Sequence, residues 1–335
     1  MEPVPAEAAI QDAAVPRVAA VLVGGRDLGI DRFRGALVWL MVAGNLLGGI
    51  AAVPDVIKHT PDIGLSVADL VAPAFVFAMG INLGPSFRRR LAADGAGAAY
   101  GHFVLRDLAL LGIGTIISAG GGIVGQATSW GVLQALGEAG LIALVVIRLN
   151  AWWRFAIGTA LLVGYQLILD AWALEGVLGA IQGGFIGGLS WGALLVLSTA
   201  IADLWRRGIG QLAAGTAIVA AVAVLAALLV PVSKNRVSLS YVLVTLAIAS
   251  AAFLLTELAT QRIPRRAGYL AWWGENPLAL YLLHLLVLGL VTLPPIPGWY
   301  RDAPLWLAGV QLLVVMTVLS LAAWWLHRRR VRLRL

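Results

Sequence analysis

The chain has no cysteine in 335 residues, which excludes disulfides, thiolate metal sites and a cysteine nucleophile at once. Charge is nearly as scarce. Asp, Glu, Lys and Arg make up 12% of the sequence, about half of the ~25% usual in soluble globular proteins. So few charged groups cannot cover the surface of a water-soluble enzyme of this length. What fills the sequence instead is apolar: 60% of residues, with 39 glycines outside that count. Its apolar stretches run to about 20 residues, the length needed to cross ~30 Å of hydrocarbon as a helix. This is the composition of a polytopic membrane protein. The formal charge of +7 does not point to nucleic acid, because the arginines cluster at the ends of apolar runs, as an orientation signal does.

Residues 1–25 carry acids in Met1–Glu7 and only a short apolar patch, Val18 to Val23, so they read as a loose cytoplasmic arm and not a secretory signal. From Arg26 to residue 330 the chain reads as one transmembrane domain, with residues 331–335 as a basic tail. Ten helices are expected, near 35–53, 65–86, 103–119, 130–147, 152–169, 184–202, 208–231, 239–256, 274–293 and 304–326. With the N-terminus inside, this threading puts 20 of the 24 basic residues on one side and leaves Lys58, Lys234, Arg236 and Arg301 on the other. That places both termini in the cytoplasm. Backbone amides in lipid need internal partners, so the expected fold class is an all-α bundle. The run Gly120–Gly125 fits a dinucleotide fingerprint by letters only, since no strand precedes it, and reads as an outer loop.

Polar side chains within apolar segments are expensive, and they mark the places to look for chemistry. Asn45 lies about eleven residues past Arg34, roughly 16 Å along a helix and toward the outer side. His59 follows in the outer loop, and Asp69 falls within about one turn of re-entry. The three can converge at one level. An imidazole can take and return a proton near neutral pH, an Asn amide can donate to a carbonyl oxygen that becomes negative, and a carboxylate can orient the ring. Simpler roles exist for each: a solvated loop histidine, an interhelical bridge, and a helix cap made by Asp69 with Ser66. His284 in the ninth expected helix reads equally as an interhelical hydrogen-bonding residue or a cavity lining. Asp31 with Arg34 reads as a local ion pair, and Arg32 with Arg34 as a phosphate contact. No cluster with metal-ligand spacing stands out. Residue patterns alone stop at an outer-face polar site of open chemistry.

Further residues carry a family resemblance. Asp31-Arg32-Phe33-Arg34-Gly35 resembles the Asp-x-Phe-Arg-Gly opening of the heparan-α-glucosaminide N-acetyltransferase family of transmembrane acyltransferases, and Asn45 with Gly48-Gly49 is similar to its first-helix asparagine and trailing glycines. Lys58-His59, Gly64-Leu65 and Val67-Ala68-Asp69-Leu70-Val71 with Pro73 resemble its signature across the first outer loop. Weaker echoes are Gly131–Gln134, Lys234 with Ser238–Leu243, and Gly274–Tyr281.

The resemblance implies an acetyl or other short acyl group passed from acetyl-CoA to an amine or hydroxyl of a sugar or glycan on the far side, with His59 and Asn45 catalytic and His59 acting as base or as transient acyl carrier. It further implies Asp69 toward the acceptor and Arg32 and Arg34 toward the CoA; Asp62, in the same loop as His59, is taken as a further acceptor candidate, and His284, as a cavity lining, as a further CoA candidate. Asp62 and Ile63 stand where the family usually has an aromatic and a polar Asn or His, so the acceptor stays open. The Ala/Gly/Arg-rich composition suits a bacterial plasma membrane. Expected partners are the lipid bilayer, acyl-CoA and a glycan, with a homodimer admitted and no nucleic acid. The competing expectation is a secondary transporter or lipid-linked-sugar carrier, which the same helices and buried polar groups would suit.

Overall fold

The computed structural model describes residues 22–23, 26–123, 130–263 and 268–333. Most of the expected N-terminal arm, the end of the glycine run, and Arg17, Arg265, Arg266 and Arg334 lie outside these residues. Among the described residues the regular structure is helical apart from the two-residue strands β1 (Leu22–Val23) and β2 (Arg26–Asp27), which pair antiparallel, and one isolated bridge between loops.

Eleven α-helices are described: α1 (Leu28–Leu47), α2 (Val71–Ile123), α3 (Val132–Val146), α4 (Ala151–Ile168), α5 (Leu174–Leu178), α6 (Gly184–Arg207), α7 (Ile209–Leu229), α8 (Leu239–Arg262), α9 (Tyr269–Glu275), α10 (Pro277–Thr292) and α11 (Leu305–Arg328). Six helical stretches are long and apolar enough to cross a membrane, or seven if the bent pair α9–α10 counts as one span. The ten expected stretches are all largely helical, yet the stricter count is lower for local reasons. α1 opens with Asp31, Arg32 and Arg34. α3 has 15 residues, about 22 Å and short of the hydrocarbon thickness. The expected second and third helices form one run, α2, broken only at Gly95 with φ 80°.

Local chemistry explains the ends. The Asp27 carboxylate caps α1 by accepting from the backbone N–H of Gly29 (2.9 Å) and Ile30 (3.2 Å). Asn150 caps α4 through Trp153 N–H, and Ser238 caps α8 through Tyr241 N–H. Gly208, at φ 143°, makes the reversal between α6 and α7 in one residue. Asn276 bends the α9–α10 pair by 93°.

α6 is the central helix, with 83% of its apolar window enclosed. It packs against α2, α3, α4, α7 and α8. Phe33, Phe77 and Phe253 meet edge to face at 5.4–6.0 Å and tie α1, α2 and α8 together, with Trp205 of α6 on Phe253 at 5.1 Å. Glycines set the closest approaches. A Cβ on Gly35 would overlap the Leu270 carbonyl, and one on Gly274 the Asp31 carbonyl, so α1 and α9 touch backbone to backbone.

Packing sorts the helix ends into two sets. One set holds the start of α1 and the ends of α6, α8, α9 and α11: Glu257 lies against Gly29 and next to Trp205, and His327 Nδ1 pairs with Glu275 at 2.9 Å. Asn276 holds the chain after α11 at this end, donating to Val331 O and accepting from Leu333 N–H. The other set holds the loop after α1, the start of α2 and the loop between α7 and α8.

Candidate functional site

The candidate site is built where two loops meet. The segment between α1 and α2, and the segment Val230–Ser238 between α7 and α8, pair as short backbone neighbours through Gly64 N–H to Val232 O (2.8 Å) and a bridge between Ile63 and Ser233. Side chains lock the junction. The Arg236 guanidinium forks onto Asp62 with Nε at 3.0 and 3.1 Å from its two oxygens, and Ser233 Oγ donates to the same carboxylate at 2.7 Å. Asn235 donates to the Pro61 carbonyl. Both partners of the pair shift in the direction of charge: Arg236 holds the Asp62 carboxyl below the usual carboxylate range, and Asp62 raises Arg236.

The second loop is itself held from beneath. Tyr165 Oη donates to Arg236 O at 2.6 Å and Ser190 Oγ to Val237 O at 2.7 Å. Val237 is fully buried with φ 45°, a left-handed conformation that a β-branched side chain rarely adopts. The turn it makes closes through Val237 N–H to Lys234 O, placing Lys234 over the first loop.

At the junction stands a histidine–carboxylate pair. His59 Nδ1 is 2.7 Å from Asp69 Oδ1. The Asp69 side chain is fully buried, and that of His59 is 53% exposed. Asp69 Oδ2 accepts from Thr60 Oγ1 (2.9 Å), Thr60 N–H (3.3 Å), Ser66 Oγ (3.0 Å) and Ser66 N–H (3.1 Å), while Tyr241 Oη donates to Asp69 O at 2.7 Å. Ser66 and Asp69 thus form a reciprocal cap at the entry to α2. Capping and ring orientation are the work of one carboxylate.

Donor and acceptor roles fix the tautomer. An ionised carboxylate only accepts, so a contact of 2.7 Å requires the proton on His59 Nδ1 and leaves Nε2 as the ring's basic nitrogen. Lys234 Nζ lies 3.2 Å from the same Nδ1 and 3.8 Å from Asp69 Oδ1. Because Nδ1–H already donates to Asp69, the ammonium interacts with the carboxylate charge and not with a ring lone pair. Burial lowers the Lys234 pKa from its ordinary value, and Asp69 opposes that shift.

The expected residues divide into groups. His59 and Asp69 come together. Asn45 instead pairs with His284, Nδ2 to Nε2 at 3.0 Å. The His284 Nδ1 faces the Tyr281 carbonyl, which accepts only, so Nδ1 carries the proton, Nε2 accepts, and Asn45 must present its amide N–H. His284 is buried, and Asn45 is exposed on the face of α1. Asp62 is engaged by Arg236 and Ser233 in the loop junction. Arg32 and Arg34 sit near the start of α1, a 20-residue helix of about 30 Å, away from the loop that carries His59. There Arg34 lies 3.9 Å from Asp31, whose nearer partner is Arg26 at 2.6 Å. Lys234 was legible only as a family echo, because 175 residues separate it from His59. Among the described residues no group of three His, Asp or Glu side chains is arranged to hold a metal ion.

Residues 26–179, which include the first loop and its histidine–carboxylate pair, match the family model described as Heparan-alpha-glucosaminide N-acetyltransferase, catalytic. This region is heparan-α-glucosaminide N-acetyltransferase-like. The resemblance read from Asp31–Gly35 and His59–Asp69 falls inside the matched residues, and Lys234 and His284 fall outside them. No curated protein matches the chain. Together, the match and the apolar helices indicate a membrane acetyltransferase.

Proposed function

We propose that the protein transfers an acetyl or other short acyl group from cytosolic acyl-CoA to an amine or hydroxyl of an extracytoplasmic sugar or glycan. The transmembrane domain of residues 26–330 carries the activity in a bacterial inner membrane. The observation that carries this reading is the buried Asp69 carboxylate on His59 Nδ1. That contact leaves the opposite ring nitrogen, on an exposed side chain, free to act as a base.

In this reading His59 Nε2 takes the proton from the acceptor N–H or O–H as the new bond to the acyl carbon forms. It returns that proton to the sulfur as the carbon–sulfur bond breaks. Asp69 keeps the ring in the required tautomer and stabilises the imidazolium. Asn45, aligned by His284, contributes an amide N–H toward the oxygen that becomes negative. Arg32 and Arg34 serve the phosphates of the donor. A carrier of small polar or lipid-linked sugars is the second reading, favoured by the 93° break at Asn276, since transporters use interrupted helices at their sites.

Full-length protein in detergent, given radiolabelled acetyl-CoA and a panel of amino sugars, tests both. Transfer to product is expected to fall about a hundredfold or more in His59→Ala, with a smaller loss in Asn45→Ala. Undiminished transfer by His59→Ala would overturn the catalytic assignment. Movement of an unmodified sugar across vesicles, with no acylated product, would favour the carrier.

A further inference from the structure

A second polar cluster lies at the arginine-rich end of the bundle, where α2, α4 and α6 meet. Asp203 of α6 is its centre. Arg154 of α4, only 2% exposed, pairs with Asp203 and also donates to Leu149 O. Arg206 lies 3.6 Å from the same carboxylate and Arg88 of α2 lies 3.9 Å from it. Arg89 and Arg154 are also within Coulombic range of Arg206.

Two of these arginines have structural employment. Pro85 has no N–H, so the Ile81 carbonyl four residues earlier loses its helical donor, and Arg206 supplies one at 3.2 Å. Arg154 is spent on Leu149 O and Asp203. Arg88 has no comparable role. Its side chain is half exposed, and its guanidinium folds back over Gly84, one turn toward the interior of the span. Gly84 leaves room for it. Among the described residues Arg89, exposed, has a single long hydrogen-bond contact, 3.4 Å to Ser86 Oγ.

Among the described residues one carboxylate is recorded against these guanidiniums, so Arg88, Arg89, Arg154 and Arg206 with Asp203 leave an excess of three positive charges. Guanidinium forks match phosphate oxygens in shape as well as charge, and basic pockets between transmembrane helices bind phosphate headgroups. Gly80 sits tightly against Ser198, closing the α2–α6 seam above the cluster. A ligand there would therefore enter from the bundle end or from the lipid side.

We propose that this cluster is a binding site for a phosphate group, with Arg88 and Arg89 as the groups that close on it and Arg154, Arg206 and Asp203 as the fixed frame. The site does not depend on the acyltransfer reading. Two sources share its chemistry, an anionic phospholipid headgroup and a soluble phosphate ester.

Native mass spectrometry on the full chain in uncharged detergent separates them, with phosphatidylglycerol as one probe, adenosine 3′,5′-bisphosphate as the other and phosphatidylcholine as reference. At least one probe is expected to bind over the reference, and the double variant Arg88→Gln/Arg89→Gln to bind it about tenfold more weakly. Arg329→Gln, at the same end but outside the cluster, is expected to bind like wild type. Retention of the lipid alone assigns a headgroup, retention of the bisphosphate alone a soluble ligand, and retention of both a general phosphate site. Binding of neither probe above phosphatidylcholine, or equal losses in the double variant and in Arg329→Gln, overturns the proposal.

Discussion

His59 and Asp69 lie ten residues apart and meet because Ser66 and Asp69 cap the entry to α2 and fold the loop back. Lys234 adds a cation to that pair from a distant loop. Lys234→Met, which removes the cation 3.8 Å from Asp69 Oδ1, is expected to lower the rate of transfer, with Lys234→Arg restoring most of it. The neighbouring pair works differently. Asp62 and Arg236 are 32% and 24% exposed, so solvent limits their mutual stabilisation to about 1 kcal/mol or less. The Asp62 pKa is depressed in the folded state, so this contribution is present above the ordinary carboxylate pKa of about 3.9 and is lost as pH falls through the folded value. Arg236→Gln is expected to lower the apparent Tm slightly at pH 7, and the difference from wild type to begin shrinking only below about pH 4 and to vanish below the depressed folded value of Asp62.

Among elements, the junction of α1 with α9 is the most exacting. Gly35 and Gly274 each face a carbonyl oxygen of the other segment with no room for a methyl group. Gly274→Ala must push α9 away from Asp31, and with it the bend at Asn276 that sets the course of α10 and the position of His284. The expected result is a lower Tm together with a loss of transfer, whereas alanine at Gly97, where a Cβ meets nothing within 4 Å, should change neither. Glycine in this chain has two meanings that the sequence does not distinguish, a required contact and an ordinary helical position.

For the molecule as a whole, the absence of cysteine is an experimental advantage. Single cysteines at Val56, exposed in the first loop, and at Arg329, exposed after α11, report which compartment each end faces. In intact cells an impermeant maleimide is expected to label Val56→Cys at once and Arg329→Cys only after permeabilisation. The reverse pattern would invert the orientation read from the arginines. The charge distribution gives a reason for the expectation. In the first loop and its partner loop, Lys58, Lys234 and Arg236 are matched by Asp55, Asp69 and Asp62, while the opposite end keeps its excess of arginine.

Apolar runs of bilayer length, punctuated by arginines, determined by themselves that this chain forms a helical membrane bundle, because a helix satisfies its backbone within a few residues and its side chains need only be apolar. The His59–Asp69 pair was legible for a similar reason: ten residues and one helix cap bring it together. Only the tertiary structure decided that Lys234 stands beside His59, that Asn45 bonds His284 across 239 residues, and that Arg206 answers the carbonyl freed by Pro85. Those pairings depend on how helices are stacked and rotated against one another, and many arrangements of the same apolar faces would bury them equally well.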